Sequence, residues 1–404
     1  MPSPLLKVIN FCSAPTMYGK SGPRDPEAVV HQMLDRAARD GQGERPDPDS
    51  EIMRDFAFLV EQFAAAESLS PIGWASVRTD LQNRLTNWVR VQRLHAEHPE
   101  LAAEDVSDPV VVVGLPRTAT TLVHNLLAAA DGHRGTKLWE LLHPELPLPE
   151  AESERIINGV ERGQKVIRLL IPEMVDIHPQ AARKADETAF LFFHGPQHQA
   201  RALMPEYKAW ENERDASGDY TYLKQVLQVL QHGRPRRRWV LKNPIHLAHL
   251  PELLKEFPKA TIVWMHREPA TVMGSICSLV ETSHRLHLRS VDPDAIGRMC
   301  LEMLQRLVGR GRDARTQIAP GRLVDVPYDW LTATPHTSVP ELYKLIGAKW
   351  TDRDAAGLDA ILARPSRARK HDYAARRYGL DEIEIDQAFD NYGSIALATA
   401  PRRN

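Results

Sequence analysis

Arg117, Thr118, Thr120 and Thr121 crowd one short turn immediately after the valine run 110–113 and Gly114. Closely spaced hydroxyls and a guanidinium of this kind hold an oxyanion. Leu122, Val123, Leu126 and Leu127 recur at helical spacing just beyond. Strand, tight turn and helix start together aim backbone N–H groups at the positive end of a helix dipole, a site for a phosphate or sulfate. The loop lacks the Gly-Lys-Ser/Thr ending of a Walker A sequence, whose hydroxyl serves Mg²⁺. On these residues alone, a plain strand-to-helix turn with a surface Arg competes evenly with an anion site.

Two more cations leave predicted strand ends. Lys242 follows the short apolar stretch 239–241 and precedes Pro244, so it projects from the C-terminal end of a strand, where open α/β sheets place ligands. Arg267 ends the apolar stretch 260–266, and Ser275 lies in the first turns of the helix after it; together they suit a second phosphate. A solvated lysine, and an Arg267–Glu268 salt bridge with a helix serine bonded to its own backbone, are the alternatives. Asp186 and Glu187 precede an apolar run; spacing alone favours a helix start with Asp186 as cap or first-turn acid and Glu187 as dipole partner. The pairs His194/His198, His246/His249 and His284/His287 lack the further ligands a metal needs. The basic run 364–371 reads as a solvated face or as a late clamp on an anion.

The elements that must carry these residues can be read in outline. Ser50 is placed to cap a helix with Ile52, Phe56, Leu59, Val60 and Phe63 on one face. A second amphipathic helix carries Trp74, Val77, Leu81, Leu85, Trp88 and Val89. These lie in an N-terminal helical extension, residues 1–105, ahead of an α/β domain spanning 106–404. A long helix is predicted over 150–170, helices over 247–257 and from 271, a last strand over 322–328 and a short helix over 340–347. Aromatics gather between 190 and 222; they line an apolar acceptor pocket or, as the safer prior, belong to the core.

Composition bounds the class. The chain has 404 residues, 43% of them hydrophobic and 26% charged, with a net charge of −2. That is an ordinary globular composition, and it gives no global case for nucleic acid. Cys12, Cys277 and Cys300 are too few and too far apart for a disulfide framework or a zinc site. No transmembrane segment or signal peptide is expected, and a cytoplasmic location follows.

The turn 116–121, the stretch Leu241-Lys-Asn-Pro244, and Arg267 followed by Ser275 resemble the PAPS-dependent sulfotransferases, in the bacterial branch allied to the tyrosylprotein sulfotransferases. That family's first loop usually reads Pro-Arg/Lys-Ser-Gly-Thr-Thr. Here Thr118 and Ala119 replace Ser and Gly, so Ala119 fits only if that position does not need positive φ. Tyr328-Asp329 and the tail 367–380 are also similar. The resemblance implies an α/β fold with a P-loop-like central parallel sheet flanked by helices, with helical insertions. It implies Arg117, Thr118, Ala119, Thr120 and Thr121 on the 5′-phosphosulfate, Arg267 and Ser275 on the 3′-phosphate, and Tyr328 near the nucleoside. Arg367, Arg369 or Lys370 would add to the 3′-phosphate clamp. Lys242 would reach the sulfuryl group or bridging oxygen. Glu187 is the first choice of base and His246 the second. PAPS is then the donor and PAP the product, with no metal; the acceptor is a hydroxyl on a lipid or small hydrophobic alcohol. A P-loop kinase or nucleotidase and a non-catalytic nucleotide-binding protein are the competing readings. The N-terminal helices permit a homodimer.

Overall fold

The computed structural model describes residues 24–170, 172, 180–363, 375–390, 392 and 401–403. In chain order its principal elements are α1 (Pro26–Gly41), α2 (Glu51–Ala65), α3 (Pro71–Glu97), β1 (Val110–Gly114), α4 (Thr120–Ala129), β2 (His133–Gly135), α5 (Glu150–Leu170), α6 (Ser217–Gln231), β3 (Arg238–Lys242), β4 (Thr261–His266), α7 (Pro269–His287), α8 (Pro293–Ala314), β5 (Leu323–Pro327) and β6 (Arg402–Arg403). The strands form one sheet in the order β2–β3–β1–β4–β5–β6. The first five are mutually parallel, and β6 pairs antiparallel with β5.

Strand β1 is central because its side chains are apolar on both faces, and all five of its residues are buried. Val111 and Val113 join one core with Leu241, Trp264 and the helices α6, α7 and α8. Val110 and Val112 join the opposite core with Val123, Leu127, Val240 and Val263. The sheet is thus covered on both sides, and its C-terminal edge remains the place where loops can present polar groups. Strand β1 registers Val112 against Lys242 on one side and Gly114 against Met265 on the other. Gly114 has φ of 140°, and a Cβ there would sit 2.4 Å from the Met265 carbonyl oxygen, so only glycine lets the two strand ends pass this closely.

The N-terminal helices pack as a second core around Phe56, Phe63, Val77 and Leu85, which also takes in Phe193 and Tyr207. Helix α3 reaches further, with Val91 and Leu94 in the main core. Its Asn87 amide donates to the Leu142 carbonyl at 3.1 Å, and Arg84 donates to the Ala189 carbonyl at 2.6 Å.

Several expectations are corrected here. Ile52 is 43% exposed, and Met53 takes its place in the core. Ser50 precedes α2 but makes no side-chain cap; its hydroxyl donates instead to the Asp47 carbonyl at 2.7 Å. The helix expected over 247–257 is a 3-10 turn, Pro244–His249, followed by the shorter helix Leu250–Glu256. The helix expected from 340 begins earlier, at Pro335, and contains Pro340. Of the aromatic tract, Phe192, Phe193, Tyr207, Tyr220 and Tyr222 are core side chains. Strands β2 and β6 were not expected: β2 is three residues long and β6 two, too short to show any alternation.

Candidate active site

The turn between β1 and α4 joins strand to helix as its sequence suggests, with one exception. Ala119 precedes α4 with φ of 67° and ψ of 15°, and Arg117 has φ of 70°. The position therefore does require a left-handed backbone, contrary to the condition under which alanine was expected to fit. The methyl group strains the turn by roughly 1–2 kcal/mol. Ala119→Gly should relieve that strain and, after the entropy that glycine loses on folding, stabilise the chain by about 1 kcal/mol in denaturant titration. A neutral or destabilising result would mean the turn relaxes around the methyl.

Ala119 also supplies no side-chain cap, so the first-turn N–H groups of α4 are not tied up by one. Thr118 is buried, and its hydroxyl donates to the Leu115 carbonyl at 2.7 Å, stapling the loop from inside. Thr120 is buried as well, whereas Arg117 and Thr121 are exposed.

Lys242 leaves the end of β3 almost fully buried, at 3% exposure. Its ammonium forms an ion pair with the Glu187 carboxylate and lies 3.4 Å from the Thr121 hydroxyl oxygen. Glu187 reaches this place because its chain segment pairs with the residues following β2. The Asp186 N–H donates to the Thr136 carbonyl at 2.9 Å, and Lys137 bridges Ala185 in antiparallel fashion. The Glu187 N–H in turn donates to Asp186 Oδ1 at 2.8 Å. The dipole-partner role that spacing favoured is therefore not what is found: Glu187 makes no cap to the following 3-10 turn, and its carboxylate goes to Lys242.

On the other side of β1, the Arg267 guanidinium donates to the Arg117 carbonyl at 2.9 Å and lies 4.0 Å over the Tyr328 ring. The sequence alternative, a pair with Glu268, is not the contact seen. Glu187, Lys242, Thr121, Arg117, Arg267 and Tyr328 thus form a connected row along the C-terminal ends of β3, β1, β4 and β5. Helix α7, which follows Arg267, likewise starts without a side-chain cap. Ser275 lies two turns into that helix at 6% exposure. Arg367, Arg369 and Lys370 lie outside the described residues.

His246 is fully buried. Its Nδ1 is 2.9 Å from the Tyr220 hydroxyl and its Nε2 is 2.9 Å from the Thr188 hydroxyl. Burial pushes its pKa down to about 3, so the ring is neutral and both nitrogens are engaged. It braces Thr188, the residue next to Glu187, rather than facing solvent. His124, also buried, donates its Nε2–H to the Val240 carbonyl at 3.2 Å; burial, then the Lys242 charge, lower it to about 3.

Depressed histidines of this kind make the fold acid-sensitive. Between the ordinary histidine value near 6.5 and the folded value near 3, the unfolded chain binds the extra proton. Stability is therefore complete above about pH 6.5 and declines as pH falls toward 3, by up to about 1.4 kcal/mol per pH unit for each such histidine. Melting temperatures across this range should fall steeply, and less steeply in His246→Gln; a flat profile would contradict the neutral buried ring.

Sequence reasoning missed the supports beneath the row. The end of β4 is fixed by His266, whose Nε2 is 2.7 Å from Asp325 Oδ1 and whose Nδ1 is 3.0 Å from the Tyr392 hydroxyl. Arg315 grips Asp325 through two bonds of 2.9 and 2.6 Å. Burial alone would raise Asp325, but hydrogen bonds from Arg315 and His266 hold it at about 2. A carboxylate inside the apolar strand Leu323–Pro327 was the available signal, since buried acids need partners.

Residues 109–352 match the sequence model of the Sulfotransferase family. The chain belongs to the sulfotransferase family. The omega-hydroxy-beta-dihydromenaquinone-9 sulfotransferases Stf3 of Mycobacterium bovis and Mycobacterium tuberculosis are each 26% identical to it over 249 residues, 59% of this chain and 62% of theirs. The chain thus spans about three fifths of the length of these curated relatives. Sulfotransferase STF1 from Mycobacterium tuberculosis H37Rv superposes with a TM-score of 0.79 at 24% identity, over 90% of this chain and 98% of that one. Sulfotransferase STF9 from Mycobacterium avium gives 0.79 at 25%, over 90% and 95%. The P-loop-like parallel sheet is shared with these sulfotransferases, and the fold expected from sequence stands.

Proposed function

We propose that this sulfotransferase moves a sulfuryl group from PAPS to a hydroxyl on a lipid or hydrophobic alcohol, by in-line displacement without a metal. The observation that carries the reading is the ion pair of Lys242 and Glu187 beside Thr121 and the open start of α4. It sets a proton acceptor next to a cation at the mouth of an anion loop. The donor set fits a nucleotide charged at both ends: the α4 N-terminus and Arg117 suit the 5′ end, while Arg267 and the uncapped start of α7 suit a 3′-phosphate. Tyr328, already stacked on Arg267, offers a face to the nucleoside.

In this reading Glu187 takes the proton of the acceptor hydroxyl as the oxygen attacks. Charge then grows on the departing phosphate, and Lys242 stabilises it where water is excluded. An ammonium has three donors. Lys242 directs two at Glu187 and Thr121 and retains one for the transferring group. Asp186 fixes the backbone of Glu187, and Thr188 on His246 fixes the residue after it. The name of the Stf3 relatives, which specifies a hydroxylated menaquinone, supports a lipid-like acceptor. No helix among the described residues is long and apolar enough to cross a membrane.

The test is transfer of labelled sulfate from PAPS, with a chelator present, to a panel of long-chain and isoprenoid alcohols. Label in the organic phase is expected. No sulfate label in the alcohols, with labelled γ-phosphate of ATP appearing there instead when Mg²⁺ is present, would make the chain a kinase.

A further inference from the structure

Helix α5 projects from the molecule. Ile157 is the one residue of its length that is buried, and residues 165–169 are all exposed. Positions 155, 158, 162, 165, 166 and 169 follow the three- and four-residue steps of one helical face. That face holds Arg155, Arg162 and Lys165 with Val166 and Leu169, and no carboxylate. Val166 is 54% exposed and Leu169 67%. Of the helix's acids, Glu150, Glu152 and Glu154 lie in its first turns and Glu161 at mid-length, so the stretch 162–170 carries Arg162, Lys165 and Arg168 with no acid.

A second group of cations adjoins it. Arg183 holds Glu154 of α5 through two bonds of 2.8 and 2.6 Å, and also lines a cleft of about 570 Å³ with Lys137, Lys184 and Arg237. Lys137, Lys184 and Arg237 are exposed. Lys184 stands three residues before Glu187, on the segment that pairs with the residues after β2.

We infer that the outer face of α5, with the neighbouring cleft cations, docks the enzyme on an anionic membrane surface, where Val166 and Leu169 enter the headgroup boundary. The charge pattern selects this occupant. Cations beside large apolar side chains on an exposed helix suit lipid, with the stems of Arg162 and Lys165 reaching back to the phosphates. A second copy on a two-fold axis would set Arg155, Arg162 and Lys165 against themselves. A nucleic-acid backbone has no use for Val166 and Leu169. Docking would bring the Glu187 segment toward the surface from which a lipid alcohol must come. The inference depends on the lipid-acceptor reading for its purpose but not for its test.

The full chain is sedimented with vesicles of phosphatidylcholine alone and of phosphatidylcholine with phosphatidylglycerol. Binding is expected to the second only, weakening as salt is raised. Arg162→Glu with Lys165→Glu, and separately Val166→Ser with Leu169→Ser, should each lower the partition coefficient at least about tenfold. Both double variants should keep wild-type melting and PAP binding. Wild-type chain that stays in solution, partitions equally into both vesicles, or is unmoved by the variants would overturn the inference. So would serine variants that change the oligomer mass in light scattering while sedimentation is unchanged, since the face would then pair copies. A chain that binds anionic vesicles but not PAP leaves the docking surface intact and removes the donor reading.

Discussion

Glu187→Gln should lower turnover by about 10²- to 10⁴-fold, the usual effect of removing a general base, while PAP binding stays within about twofold of wild type, a change of under 1 kcal/mol. The substitution keeps the shape of the side chain and its hydrogen bond with Lys242, and removes the carboxylate that would receive the proton. The split between turnover and binding distinguishes a base from a structural partner. If Glu187 merely held Lys242 in place, glutamine, which keeps that hydrogen bond, would leave turnover near wild type. Retained turnover would remove Glu187 from the chemistry and return attention to His246. That residue starts from a poor position, since its ring nitrogens are occupied by Tyr220 and Thr188 and its pKa is pushed to about 3.

Lys242→Met should cost about 10²- to 10³-fold in turnover, comparable to losing one preorganised donor at a developing charge. Lys242 is 3% exposed, and its methylene stem already packs at the end of β3, so methionine fills the space without the charge. Glu187 is then left without its cation, and a rise in its pKa should follow. The rate of Lys242→Met should therefore climb with pH over a range where the wild type is flat. Lys242→Arg is the control: it restores charge but not the compact three-donor geometry, and should recover only part of the rate. Full activity in Lys242→Met would show that the α4 N-terminus and Arg117 alone carry the developing charge.

The sequence made the sheet edge readable because its strands are short apolar runs with a cation at the end. Val110 through Val113, the stretch before Lys242 and the stretch before Arg267 all became adjacent parallel strands. Adjacency itself, and the contact of Arg267 with the Arg117 carbonyl, could not be read from spacing, because strand order depends on tertiary packing. Glu187 shows the limit more sharply. Local pattern favoured a helix-start acid, yet the Lys137–Ala185 bridge turned its carboxylate toward Lys242, across 55 residues of sequence. Ala119 shows a different limit: the loop tolerates a strained alanine because the Thr118 staple and the start of α4 over-determine its backbone.

The claim beneath all of this is that Arg117, Lys242 and Arg267 face one nucleotide bearing a phosphate at each end. Metal-free calorimetry with 3′-phosphoadenosine 5′-phosphate and with ADP, on wild type and Arg267→Ala, tests it most directly. The account predicts that wild type prefers the 3′-phosphorylated nucleotide and that Arg267→Ala loses about 10- to 100-fold of that preference, the worth of one charge-assisted hydrogen bond. Equal affinity of the wild type for both nucleotides, or a preference that survives in Arg267→Ala unchanged, would contradict it.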